Sequence, residues 1–121
     1  MKFNSNLPIY IQISNYLKKE IASGNLKEGN KLQSVRELST EVKANPNTIM
    51  RAYSELERED LVFTQRGMGT FVTKDKNVIR KLKEDMAANI IKVYISDMQS
   101  IGFSNDEILN KIEKQIREEI E

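Results

Sequence analysis

Apolar residues recur at helical spacing from Ile9 through Ile13, Tyr16, Leu17 and Ile21, which predicts a first helix with Pro8 at its first position and Gly24 as its stop. Gly24 to Lys31 breaks the pattern with two glycines and an Asn. Ser34-Val35-Arg36-Glu37 then has the Ser-x-x-Glu form of a capping box, and opens a second helix whose buried stripe is Val35, Leu38 and Val42. Ala44-Asn45-Pro46 ends that stripe. Asn45 can cap and Pro46 can occupy a first turn, so a third helix follows at once. Two short helices joined by so brief a turn cross steeply, as in a helix-turn-helix.

On the third helix, Ala52, Tyr53 and Leu56 fall within about 60° of Ile49, and Asn47, Arg51, Ser54 and Arg58 fall on the opposite side. One face is core and the other is polar. Leu61 to Gln65 and Thr70 to Thr73 are rich in β-branched and aromatic residues and flank Arg66-Gly67-Met68-Gly69, which predicts a hairpin, or wing, with its glycines in the connection. Beyond Lys74 the pattern becomes one long helix carrying Ile79, Leu82, Met86, Ile90, Val93 and Ile101 up to Gly102. Ser104-Asn105-Asp106-Glu107 is a second capping box, and Leu109, Ile112, Ile116 and Ile120 share one face of a last helix. The expected fold is mostly α with a small β-hairpin: a winged helix-turn-helix over residues 1–74 and a two-helix tail over residues 75–121.

Composition narrows the chemistry. The 121 residues suit one minimal domain with an appendage, and 39% hydrophobic with 31% charged residues suits a globular chain. No window is apolar enough to span a bilayer and Met1-Lys2-Phe3 leads into no signal-peptide core, so the expected compartment is the cytoplasm. The chain has neither Cys nor His, which removes thiolate metal sites, the favoured zinc ligand and the commonest general base. An enzyme is not expected, nor a cofactor. The net charge of +1 neither favours nor opposes nucleic acid, because a basic face can be balanced elsewhere.

The start of a recognition helix enters the major groove, where Asn can hold the edge of adenine and Arg the edge of guanine. Asn47 and Arg51 are therefore candidate base readers, with Thr48 beside them for a phosphate or a thymine methyl. Backbone N–H groups at the helix starts around Ser34 and Asn45 attract phosphate, although Asn45 can equally be occupied as a cap. Arg36 either reaches DNA or pairs locally with Glu37 or Glu41. Gly67 and Gly69 either satisfy hairpin geometry alone or let backbone approach a sugar-phosphate chain, with Gln65, Arg66 and Thr70 as further contacts beside the minor groove.

Several segments together resemble the GntR family of bacterial transcription regulators: Leu7-Pro8-Ile9-Tyr10-Ile11-Gln12-Ile13, Gly24-Asn25-Leu26-Lys27-Glu28-Gly29, Leu32-Gln33-Ser34-Val35-Arg36-Glu37-Leu38, Asn45-Pro46-Asn47-Thr48 and Gly67-Met68-Gly69-Thr70-Phe71-Val72. The run from Asn45 to Glu57 and the short tail are similar to the YtrA-type subfamily, in which two helices replace a large effector domain. The resemblance implies that Arg36 contacts bases and that the wing tip at Gly67 lies in the minor groove. Gln33 stands where the family usually has Pro, which implies a looser path into the second helix. Pro46 stands where relatives outside the subfamily have Arg, so their operator preferences do not transfer.

The tail's apolar residues, Ile79, Leu82, Met86, Ile90, Val93, Leu109, Ile112, Ile116 and Ile120, exceed what so short a segment buries by itself. They pack on the winged helix, on a second chain, or on both, and a homodimer is the expected outcome. Met86, Tyr94, Met98 and Phe103 read as core rather than as an effector pocket, and the identity of any small-molecule effector stays open. The expected function is sequence-specific binding of double-stranded DNA at an inverted-repeat operator, as a repressor. The alternative is a winged-helix docking module for another protein.

Overall fold

Helix α1 (Ile9–Ser23) opens one residue later than its spacing predicts: Pro8 is the N-cap, in an extended conformation, rather than the first helical residue. Its carbonyl still accepts from the N–H of Gln12, at 3.3 Å, so the helix starts without a side-chain cap. Gly24 ends the helix at φ 85°, a left-handed conformation that glycine adopts without a Cβ penalty. The buried stripe is Ile13, Ser14, Leu17 and Ile21, whereas Ile9 and Tyr16, expected on it, are exposed. The computed structural model describes residues 1–120, and Glu121, the end of the expected tail, lies outside the described residues.

Helix α2 (Val35–Val42) begins at the capping box: the Glu37 N–H donates to Ser34 Oγ at 3.1 Å and the Ser34 N–H donates to Glu37 Oε1 at 3.0 Å. The Ser34 bonds hold the Glu37 carboxyl below the usual carboxylate range. Leu38 and Val42 are buried and Val35 is half-buried. Lys43 turns the chain at φ 57°, a left-handed residue that no glycine announces in the sequence. Helix α3 (Pro46–Arg58) then starts as expected, with Asn45 accepting from the Asn47 N–H at 2.8 Å and Pro46 in the first turn. Ile49, Ala52, Tyr53 and Leu56 form its buried face against α1 and α2. The Lys18–Glu59 pair, 2.8 Å, adds a bridge near the end of α3.

Strands β1 (Val62–Gln65) and β2 (Gly69–Val72) pair antiparallel, with Val62 opposite Val72 and Gln65 opposite Gly69. Gly69 therefore belongs to the ladder and not to the connection, which is Arg66-Gly67-Met68. Phe63 and Phe71 stack across the hairpin at 5.7 Å. The other edge of β2 is also paired. Lys31 forms a bridge with Phe71, and the N–H of Leu32 and the carbonyl of Asn30 bond Thr70 and Val72, both at 2.8 Å. The segment before α2 thus pairs with that edge through an isolated bridge, and the sheet itself has two strands.

The path into α2 is held from above by Tyr53, whose hydroxyl donates to the Gln33 carbonyl at 2.7 Å. Burial, with a smaller contribution from the Glu37 carboxylate, pushes the Tyr53 phenol up to about 12. Because the folded value lies above the 10.0 of an unperturbed tyrosine, the stability this phenol contributes is present below pH 10 and is lost as pH rises through about 12. We expect Tyr53→Phe to cost about 1 kcal/mol at neutral pH by removing the bond. Denaturant titrations across the alkaline range will show the wild type converging on the variant, whose curve lacks this transition.

Helix α4 (Lys76–Ser100) runs for about 37 Å, and Gly102 stops the chain at φ 98°. Helix α5 (Asn105–Ile120) begins at the second capping box, with reciprocal bonds of 2.9 and 3.3 Å between Ser104 and Glu107. The chain divides into one compact unit over Met1–Lys83 and a second that begins at Glu84. The division falls inside α4, beyond the boundary expected at Lys74. Leu82 accounts for part of the difference: expected in the tail's pairing stripe, it is 9% exposed and belongs to the first unit's core.

Candidate nucleic-acid interface

The polar face of α3 is created by the burial of the opposite one. With Ile49, Ala52 and Leu56 fully buried, Asn47 and Arg51 are left exposed and Thr48 half-exposed at the helix start. Asn45 is committed as the cap, so its side-chain oxygen is not free for DNA. Asn47 donates its backbone N–H to that cap and leaves its own amide outside it. Asn47, Thr48 and Arg51 line one shallow concavity together with Ile9 and Tyr10.

Tyr10 is the feature that periodicity does not reveal. The Arg51 guanidinium lies over its ring, 3.8 Å from the centroid. Glu55, one turn further along α3, is taken by Arg58 at 2.6 Å, which lowers the Glu55 carboxyl and raises the Arg58 guanidinium. Arg58, on the same outward side in the sequence pattern, is thus occupied.

Arg36 is exposed on the first turn of α2, and among the described residues it forms no ion pair with Glu37 or Glu41. Glu37 is committed to Ser34 instead. In the capping box Ser34 Oγ accepts from the Glu37 N–H and the Ser34 N–H donates to Glu37, which leaves the Ser34 hydroxyl proton as a donor outside the box.

At the wing, Gln65 and Arg66 are exposed, Thr70 is half-exposed with its hydroxyl 3.5 Å from that of Thr64, and Gly67 takes φ 78° in the turn. Gly69 takes φ 124°, a conformation that strains any residue with a Cβ, and the flexible end of Lys31 crosses it, with Cε 2.7 Å from where a Cβ would lie. Lys31 therefore lays a cation alongside the wing. Its sole sequence signal was a position in a loop, which conceals a strand pairing.

In the second unit, Ile90, Val93, Leu109, Ile112, Ile116 and Ile120 are exposed, and so is Ile91, which the heptad-like spacing omits. Met86, Tyr94, Met98 and Phe103 are half-buried and Ile108 is buried. Ile79, in the first unit, is half-buried. Among the described residues no cluster of acidic side chains could hold a metal ion, and no helix is long and apolar enough to cross a membrane.

Comparison with known proteins agrees with this geometry. Residues 9–72 match the family model for bacterial regulatory proteins, gntR family. The chain is 40% identical over 115 residues to the HTH-type transcriptional repressor YtrA of Bacillus subtilis, covering 94% of this chain and 85% of that protein. A GntR family transcriptional regulator from Listeria monocytogenes superposes with a TM-score of 0.86 at 41% identity, over 93% of this chain and 98% of that one. The AraR DNA-binding domain in complex with operator ORX1 superposes with a TM-score of 0.57 at 26% identity, over 60% of this chain and 93% of that one. These relatives are transcription regulators and not enzymes. From its winged helix, its exposed α3 start and these matches, the chain belongs to the gntR family of bacterial regulatory proteins, in its YtrA-type branch, and is a transcription regulator with a DNA-binding domain.

Proposed function

We propose that the protein is a cytoplasmic repressor that occupies an inverted-repeat operator as a homodimer. The observation that carries this reading is the α3 start, where Asn47, Thr48 and Arg51 stand clear of the core beside an Arg36 that no carboxylate claims among the described residues. In the proposed complex Arg36, Asn47 and Arg51 read bases, Thr48 and the free backbone N–H groups of the helix starts around Ser34 and Asn45 meet phosphates, and the wing from Gln65 to Thr70 follows the minor groove. Lys31 joins it as a phosphate cation. The operator-bound relative supports the choice of DNA as partner, and the repressor named among the relatives supports the direction of control.

The homodimer rests on the exposed apolar side chains of the second unit, with Ile90, Val93, Leu109, Ile116 and Ile120 each at least half exposed. A two-fold pair presents equivalent α3 helices to two half-sites, hence the inverted repeat. Selection of random duplexes on the purified protein is expected to enrich a palindrome. Failure to enrich any sequence at moderate salt would favour protein docking by the winged helix instead.

A further inference from the structure

We propose that Tyr10 is a positioning residue for base recognition: its ring is the platform that presents the Arg51 guanidinium to a guanine edge. The inference rests on the DNA-binding reading and adds a specificity determinant from outside the helix-turn-helix.

Arginine on an exposed helix face samples many rotamers, and fixing it on contact with DNA costs conformational entropy. Here the guanidinium already has a partner on the protein surface. It lies 3.8 Å from the Tyr10 ring centroid, and this stacked contact uses the faces of the ion while leaving its N–H edge free. Among the described residues no carboxylate bonds Arg51, because Glu55 is paired with Arg58. The open side of the pair is the concavity shared with Asn47 and Thr48, the residues closest to the α3 start. A planar fork of donors held at that position matches the O6 and N7 acceptors of guanine, which a flexible ammonium does not.

The sequence distance matters to the mechanism. Tyr10 sits at the second position of α1, and α1 packs on α3 with Ile13 and Leu17 of its stripe buried. The core contact thus sets the height of the ring against α3. The half-exposed ring is not itself part of the buried stripe, so its removal leaves the core packed.

The test uses the full-length protein and the palindrome obtained by selection, with affinities measured for every single-base change in one half-site. Tyr10→Leu is expected to lose about tenfold of discrimination at one G·C pair, with the other positions unchanged. Tyr10→Phe, which keeps the ring, is expected to restore it. In an Arg51→Ala background, Tyr10→Leu is expected to have no further effect, because the platform acts only through the arginine.

A uniform loss across all base changes, with a shallower salt dependence, would overturn the proposal and make Arg51 a phosphate contact. Additive effects of the two substitutions would also overturn it. If the wild type enriches no sequence, the underlying DNA reading fails. A wild type that discriminates normally alongside an unaffected Tyr10→Leu variant removes only the platform.

Discussion

If the proposed homodimer pairs through α5, replacing Ile112 and Ile116 together by Asp is expected to yield a monomer and to weaken operator binding by about 10²–10⁴-fold. Both side chains lie on α5 and are 38% and 53% exposed, so neither belongs to the buried core of the protomer. In a dimer interface the same carboxylates would be desolvated without partners, a cost of several kcal/mol each. The loss of affinity is large because the second half-site is bound intramolecularly once the first is engaged. Sedimentation velocity and operator titration on the same sample check both halves of the expectation. A variant that stays dimeric would move the pairing surface away from α5.

Arg36→Ala and Asn47→Ala are expected each to remove about 1–3 kcal/mol of specific binding per half-site, with folding and dimerisation retained. The separation follows from where the side chains stand. Arg36 has no ion pair to lose among the described residues, and the Asn47 side chain takes no part in the cap that its backbone completes. Competition titrations against operator and scrambled duplexes distinguish this loss from a general weakening. Wild-type preference retained in both variants would sink their assignment as base readers.

The parts of this structure that were legible in the sequence are those decided within four or five residues. Ser34 and Glu37 close a box whose two bonds need only local backbone, and the same holds for Ser104 and Glu107. Asn45 followed by Pro46 starts α3 for similar reasons. What the sequence concealed is long-range. Tyr10 is placed against Arg51 by the packing of two helices, and Lys31 reaches the wing through pairing with Phe71. The Tyr53 hydroxyl finds a carbonyl twenty positions away.

Even local spacing misleads where a second element intervenes. Leu82 shares its helical face with Ile90 and Val93, yet it is buried while they are exposed. Periodicity identifies a stripe but not its covering. Gly69 shows the same limit: its spacing places it in a tight connection, whereas it lies in β2 at φ 124°.

The two faces of α3 have a consequence for how such regulators diverge. Its inward residues, Ile49, Ala52, Tyr53 and Leu56, carry the core, and its cap comes from Asn45. Asn47 is bound to neither duty by its side chain, and Arg36 on α2 is similarly unencumbered. Substitutions at these positions can therefore accumulate in duplicated genes without unfolding the product, and under the proposed base-reading roles each copy can acquire its own operator on the same scaffold.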